Sequence, residues 1–304
     1  MTLEQLRIFV AVAERQHVTQ AARALNLAQS AASHAIAVIE ARHDVKLFDR
    51  IGRRIELTEA GRAFLAEART ILAQVDHAER VLGEFGTLER GTLAVHASQT
   101  IASYWLPRHL VAFRRAYPRI DIRLQIGNTA QVAEAIETGA AELGFVEGEV
   151  ESQVLVSAPV ARDQLVLVVA PEHRWAAADK PSPHDLRESD WVLREPGSGT
   201  RAAFEQALAK LGIELRDLHI AMELPSNEAV RAAVEAGLGA TVLSASVAAP
   251  SIEAGLLQQV DAKLPDRAFH VLRHTQRHRS RIADALLSII RGGDSARATP
   301  AVTN

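Results

Sequence analysis

The sequence predicts a multi-domain chain of the α+β class. It begins with a winged helix-turn-helix, continues through one long linker helix, and ends in a two-lobed α/β domain. Three observations carry this reading. Val18–His43 (VTQAARALNLAQSAASHAIAVIEARH) reads as two helices about a tight turn. From Thr58 onward, apolar residues recur in alternating steps of four and three. After Gly91, strand and helix patterns alternate in the manner of parallel-sheet units. At 304 residues, 48% hydrophobic and 23% charged, the chain is globular and has room for two or three domains. It has no cysteine, which excludes disulfides, thiol nucleophiles and Cys-ligated zinc. No run approaches the roughly 18 apolar residues of a membrane helix. The N-terminus enters an amphipathic helix directly (Leu3, Leu6, Ile8–Phe9, Val12), without a signal pattern. A cytoplasmic location with no membrane partner is expected.

Thr2–Gln16 forms the first helix, capped by Thr2, with Leu3, Leu6, Val10 and Ala13 facing inward. Thr19 is the candidate cap of the next helix, whose apolar stripe is Ala21, Ala22 and Leu25. Asn26 tolerates the left-handed backbone of a sharp exit, and Leu27 plugs the corner. Ser30 then caps a helix that buries Ala31, Ala35, Val38 and Ile39. Its other face shows Gln29, Ser30, Ser33, His34 and Ala37, which are short and rich in hydrogen-bonding groups. Such a face suits the DNA major groove, where bulky or acidic groups would meet base edges or phosphates. Plain bundle packing is the alternative.

Val45–Asp49 and Arg54–Leu57 alternate apolar residues about a turn at Ile51-Gly52-Arg53, giving a small β-wing. A net charge of −3 argues against binding nucleic acid by bulk charge, so the reading rests on Arg50, Arg53 and Arg54. These three hold phosphates and fix the register of the recognition helix, unless the wing is an ordinary solvated hairpin.

The first 61 residues resemble the LysR-type transcriptional regulators. The resemblance is carried by Leu6, Phe9, Ala21–Ala22, Leu25, Gln29–Ser30, Ser33, Ile36 and Glu40, then by Leu47-Phe48-Asp49-Arg50, Arg54 and Leu57-Thr58-Glu59-Ala60-Gly61. Ala28 stands where the family often has a hydroxyl residue, and Ser30 where it often has proline. The DNA-facing candidates are therefore Thr19, Gln29, Ser30, Ser33, His34, Arg50, Arg53 and Arg54, in a DNA-binding domain over 1–58.

Thr58, with Glu59 in the first turn, caps a helix that runs to about Gly86, roughly 45 Å at the helical rise. Phe64, Ala68, Ile71, Val75, Ala78, Leu82 and Phe85 make a heptad seam. The seam either packs on its own chain or joins two chains through parallel or antiparallel linker helices, as the resemblance implies. A homodimer or homotetramer would present two recognition helices to an imperfect inverted repeat. RNA polymerase is a further partner open to such a regulator.

Gly86–Gly91 reads as a hinge, closing a linker segment over 59–90. Beyond it four strand-to-helix junctions carry small hydroxyl or amide residues: Ala97–Thr100, Gly127–Thr129, Gly197–Arg201 and Pro225–Glu228. Ligands bind at the carboxyl ends of strands in open α/β sheets, and converging helix N-termini suit an anion. Two pairs of junctions suggest two lobes, 91–161 with 268–292 and 162–267, followed by a disordered tail over 293–304. The resemblance implies the same, a periplasmic-binding-protein-like effector domain. The candidate effector-binding residues are Ser98, Gln99, Thr100, Thr129, Glu147, Ser198, Gly199, Thr200, Arg201, Ser226 and Asn227. Capping alone accounts for any single hydroxyl. The cluster Gly197–Arg201 is sharper, because its glycines admit a ligand and Arg201 adds a fixed charge. Glu147 either lines the cleft or sits on an exposed loop.

Within the family, Gly144–Gly148, Arg194–Arg201 and Met222–Ala229 resemble regulators of sulfur metabolism and carbon fixation. That points to a small oxyanion such as sulfite or sulfate, with a phosphorylated or carboxylate metabolite as the alternative. The rival class is a dinucleotide-dependent enzyme, since Gly197-x-Gly199-x-x-Ala202 matches the phosphate-binding fingerprint. Asp217 has the spacing of its acidic partner but precedes the next strand, whereas Glu223 lies near that strand's end. No catalytic constellation accompanies the fingerprint, and no cofactor is expected. His270, His274 and His278 read as solvated histidines rather than metal ligands, because arginines flank them. Trp105, Trp175 and Trp191 read as packing residues.

Overall fold

The computed structural model describes residues 1–51, 54–84, 91–148, 150–177, 181–262, 264–277 and 279–295. They form two compact units, residues 1–85 and a larger unit holding nearly all the rest. The first contains α1 (Leu3–Arg15), α2 (Val18–Ala24), α3 (Gln29–His43), the hairpin β1 (Phe48–Ile51) and β2 (Arg54–Leu57), and α4 (Glu59–Glu84). Thr2 starts α1 as expected, in a reciprocal pair of bonds with Gln5. Because α2, α3 and α4 all pack on α1, its buried set widens to Leu6, Ile8, Phe9, Ala11, Val12 and Ala13. Leu3 is exposed and Val10 half-buried. Asn26 has φ 56°, and Leu27 packs on the hairpin core.

Two expected caps are displaced. His17, not Thr19, caps α2, its Nδ1 accepting from the Gln20 N–H at 3.4 Å. Ala28 occupies the cap position of α3 without a side-chain bond, so Ser30 lies inside the first turn. The buried face of α3 is Ala32, Ala35, Ile36 and Ile39, and Ala31 and Val38 are exposed. A shift of one residue rotates a helical face by about 100°.

With 26 residues, α4 is about 39 Å long. Its expected seam divides. Phe64 and Ala68 belong to the unit's own core with Leu6, Phe9, Ile39 and Leu47, and the Phe64 ring lies 4.7 Å from that of Phe9. Ile71 and Ala78 are exposed and Val75 is half-buried. The side chain of Leu82, Phe85 and the hinge over 86–90 lie outside the described residues.

The larger unit is built on two five-stranded sheets. The first has the order β4 (Ile120–Gly127), β3 (Gly91–Ser98), β5 (Leu143–Glu147), β12 (Arg267–His274) and β6 (Leu155–Asp163). In it β3 runs parallel to β4 and β5, while β12 runs antiparallel to β5 and β6. The second has the order β11 (Gln258–Val260), β7 (Leu165–Val169), β10 (Ala240–Ser244), β8 (Asp190–Arg194) and β9 (His219–Leu224), with β8 parallel to β9 and β10. On the first sheet, α5 (Leu106–Ala116) and α11 (Arg281–Ser295) cover one face and α6 (Thr129–Thr138) the other. On the second, α7 (Pro183–Glu188) and α8 (Gly199–Ala209) cover one face, and α9 (Asn227–Glu235) with α10 (Ala245–Glu253) the other. Helices on both faces explain why β5, β7 and β10 are buried along their whole length. All three tryptophans are buried, as expected.

The lobe boundaries differ slightly from expectation. Arg162 and Asp163 still pair in the first sheet, as does Arg267, so the chain crosses at Gln164 and just before Arg267. The final helix continues to Ser295, so 293–295 are helical rather than tail, and 296–304 lie outside the described residues. Among the described residues no helix is long and apolar enough to cross a membrane.

Candidate functional site: recognition helix and inter-lobe cleft

On α3, Gln29, Ser30, His34 and Ala37 face solvent and Ser33 is half-buried, so the short polar face occupies one side of the helix. The Gln29 amide donates to the Ser33 hydroxyl at 2.9 Å, one turn on. Thr19 is half-buried in the first turn of α2. The path from α3 into the wing is fixed by Glu40, whose carboxylate accepts from the N–H groups of Leu47 (2.8 Å) and Phe48 (3.4 Å) and from Lys46 Nζ (2.9 Å). Burial raises its pKa, but those bonds outweigh burial and hold the carboxyl below its ordinary value. The Thr58 hydroxyl donates to the Lys46 carbonyl at 2.7 Å and accepts from the Gly61 N–H at 2.9 Å. A Cβ on Gly61 would fall 2.1 Å from the Leu47 carbonyl oxygen, so only glycine fits. In the wing, Arg50 pairs with Ile55 and Ile51 with Arg54. Arg53 and the side chains of Arg50 and Arg54 lie outside the described residues.

In the larger unit the carboxyl ends of β3, β4, β5 and β6 share one sheet edge with the start of β12. The ends of β8, β9 and β10 form the facing edge of the other sheet. The cleft between them is closed by direct bonds. Gln99 accepts from the Asn227 N–H at 2.7 Å and donates to Glu228 at 2.7 Å. The Thr100 hydroxyl accepts from Asn227 Nδ2 at 3.1 Å, and Asn227 Oδ1 accepts from Arg194 at 2.6 Å. Glu195 binds Arg194 in a fork at 2.8 and 3.0 Å and accepts from Asn128 at 3.3 Å. The Thr129 hydroxyl donates to Glu147 at 3.4 Å. Arg267 donates to the Thr200 hydroxyl at 3.1 Å and to Asp163 at 2.7 Å, and Ser244 donates to the second Asp163 oxygen at 2.6 Å.

Ser98, Thr100, Glu147, Ser198, Gly199, Thr200 and Asn227 are thus brought together and buried, with Thr129 half-buried beside them. Ser226 caps α9, accepting from the Ala229 N–H at 3.0 Å, whereas the Ser198 side chain makes no cap bond. One buried polar atom at this edge, Ser98 Oγ, has no hydrogen-bond partner, whereas Arg267 Nη2 is ion-paired with Asp163 at 2.7 Å and lies 4.0 Å from Glu147.

Three expectations are corrected. Glu147 ends β5 and is only 5% exposed, so it is no loop residue. Arg201 offers no free charge, because its guanidinium is bound by Glu205 at 2.9 Å, by Glu223 and by the Arg194 carbonyl at 3.0 Å. Burial works against its charge, but both carboxylates outweigh that and hold its pKa above the ordinary value. His270 is buried and shares a 2.8 Å bond with Ser157 rather than being solvated. His274 accepts from the Gln276 N–H at 3.1 Å, and His278 lies outside the described residues. Arg267 and Asp163 are cross-strand partners whose role had no local sequence signal. The phosphate-binding fingerprint also loses its geometry. Gly199 faces Thr129 and Glu147 of the other lobe, Asp217 lies in a 3-10 turn, and Glu223 is held by Arg201.

Comparison with known proteins agrees with this architecture. Residues 3–62 match the family described as bacterial regulatory helix-turn-helix protein, lysR family, and residues 86–294 match the LysR substrate binding domain. The chain is 35% identical over 282 residues to the "Uncharacterized HTH-type transcriptional regulator YeiE" of Escherichia coli (strain K12), covering 92% of this chain and 94% of that one. It is 34% identical over 289 residues to the "Probable RuBisCO transcriptional regulator" of Nostoc sp., covering 93% and 86%. Among solved structures, CbnR, a LysR family transcriptional regulator, superposes with a TM-score of 0.71 at 23% identity over 96% of this chain and 99% of that one. The regulatory domain of Synechocystis CcmR in complex with 2-PG superposes with a TM-score of 0.61 at 24% identity, covering 67% and 97%. With its helix-turn-helix at one end and its two-sheet effector-binding domain at the other, the chain belongs to the LysR-type DNA-binding transcriptional regulators and is not an enzyme.

Proposed function

We propose that the chain acts as a homo-oligomer on an imperfect inverted repeat and changes its hold on DNA when a small hydroxylated anion enters the inter-lobe cleft. Gln29, Ser30, Ser33 and His34 would read base edges while Thr19, Arg50, Arg53 and Arg54 meet the backbone. DNA as the partner implies the cytoplasm. The exposed part of the α4 seam, Ile71 to Ala78, supports pairing of two chains.

The observation that carries the effector reading is the buried Ser98 Oγ, which has no hydrogen-bond partner, close to the Arg267 guanidinium that Asp163 holds at 2.7 Å. They stand at an edge lined by hydroxyls and by the start of α8, which has no side-chain cap bond and whose helix dipole favours an anion. Glu147 lines the same edge and disfavours a fully ionised ligand without donors. The set suits a ligand with an oxyanion for Ser98 and the start of α8 and a hydroxyl or acid proton for Glu147. A phosphorylated or carboxylate hydroxy-metabolite has both, hydrogen sulfite has both in small form, and sulfate lacks the donor. The 2-PG complex of CcmR, and relatives named as RuBisCO transcriptional regulators, favour the metabolite.

Calorimetry on the full chain with glycerol 3-phosphate, glycolate, phosphate, sulfite and sulfate tests this. The expected result is saturable binding of a hydroxylated anion, weakened about tenfold or more in Thr200→Val, as loss of one bond to a charged group implies. Arg201→Ala should retain binding. Loss in Arg201→Ala with none in Thr200→Val would move the anion away from the cleft.

A further inference from the structure

The wing is too short to aim itself. β1 and β2 have four residues each, and a lone two-stranded hairpin is marginally stable in water, so the wing's direction comes from outside it. The peptide that leads into it, Lys46–Phe48, is gripped from both sides. On one side stands Glu40 of α3. Its main-chain carbonyl accepts from the N–H groups of Asp44 and of Val45 (3.1 Å), and its carboxylate accepts from those of Leu47 and Phe48. On the other side stands Thr58, immediately before α4. Its hydroxyl donates to the Lys46 carbonyl and its N–H to the Leu47 carbonyl at 3.1 Å. Leu47 is buried, and the Phe48 ring lies 5.4 Å from that of Phe9. Because β1 starts at Phe48, the backbone of Arg50 follows wherever this peptide is set.

We propose that Glu40 and Thr58 are positioning residues for DNA binding, which hold the Lys46–Phe48 peptide so that the wing meets the DNA backbone in fixed register with α3. Neither side chain has to touch DNA. Phosphate contacts fix register only when the cations keep a constant offset from the helix that reads the bases. Glu40 sets that offset as an acceptor: the Leu47 and Phe48 N–H groups share one carboxylate oxygen, and the exposed Lys46 takes the other. Thr58 sets it from the α4 side, which ties the wing to the helix that follows it. The inference rests on the wing arginines meeting phosphates, so Arg53→Ala is measured beside it.

The measurement is the affinity of the full chain, titrated against salt, for an operator selected from a randomised duplex pool. Each phosphate contact contributes about 0.9 to the slope of log affinity on log salt. Arg53→Ala should flatten that slope, and Glu40→Ala should flatten it at least as much. The double variant should match Glu40→Ala alone, because a displaced wing has no contact left to lose. Glu40→Gln keeps a carbonyl oxygen for the two N–H groups and should restore the wild-type slope. Thr58→Val should also flatten it, and remains readable if circular dichroism shows Glu40→Ala unfolded. A wild-type slope in folded Glu40→Ala or folded Thr58→Val, additive losses in the double variant, or Glu40→Gln as flat as Glu40→Ala would each overturn the proposal. A wild-type slope in Arg53→Ala would overturn the phosphate reading of the wing as well, whereas loss in Arg53→Ala alone would overturn only the positioning.

Discussion

Gly199 is where the facing sheet edges come closest. A Cβ there would stand 2.8 Å from the Thr129 hydroxyl oxygen and 3.0 Å from both Glu147 Cβ and the Glu147 carbonyl oxygen. The threonine can rotate, but the end of β5 cannot retreat without disturbing its pairing with β12. Gly199→Ala should therefore push the lobes apart by a few tenths of an ångström, costing about 1–3 kcal/mol. Thermal denaturation should show a lower midpoint, and calorimetry a weaker cleft ligand; an unaltered midpoint with unaltered affinity would contradict the contact. The sequence pattern shows that residue 199 must be small, and the natural inference is room for a ligand. In the structure the other lobe occupies that room, a long-range fact that spacing does not contain. Gly197 differs, since its φ of +87° favours glycine through its own backbone. Arg201 teaches the same lesson at shorter range. Glu205 at i+4 is a visible partner on a helix, whereas Glu223 reaches it only through β8 and β9 pairing.

At the scale of elements, the α4 heptad serves two surfaces. Phe64 and Ala68 close the core under α1, and the seam continues past that core through Ile71, Val75 and Ala78. Periodicity reveals an apolar stripe but not which partner covers each part of it. Ile71→Glu should leave the N-terminal unit folded while shifting sedimentation velocity toward monomer and weakening operator binding, because half-sites would be held singly. Phe64→Ala should instead unfold that unit, at a cost of about 3 kcal/mol. An Ile71→Glu chain that sediments unchanged would refute pairing through α4. The helices were legible because their apolar periods are long, and errors fell at the starts of α2 and α3, where one residue decides the cap. β7 is uniformly apolar, β10 is buried throughout although it holds Thr241 and Ser244, and neither carries a period to separate strand from helix. β6 is mostly half-exposed and shows no clean alternation.

For the whole molecule, burial sets the response to acid. Burial is the main cause that lowers the imidazole pKa of His96, His173 and His274 below the ordinary 6.5, with Arg174 adding at His173 and Arg277 at His274. Above pH 6.5 these rings are neutral whether the chain is folded or not. As pH falls through 6.5, the unfolded chain takes up protons that the folded chain refuses. Stability is therefore full above that value and declines progressively toward the lower folded pKa values. Most carboxylates titrate below about pH 5, so the interval from 6.5 to 5.5 isolates the imidazoles. His96 and His274 lie in the first lobe and His173 in the second, so both lobes feel the change. Two compact units make a single global transition unsafe to assume, but all three tryptophans belong to the larger unit, and their emission follows it alone. Urea unfolding followed by tryptophan emission should give a lower midpoint at pH 5.5 than at pH 7.5, with an unchanged slope. Replacing His96, His173 and His274 by glutamine should flatten that dependence. A midpoint that holds or rises on acidification would mean that these half-buried imidazoles do not govern the response.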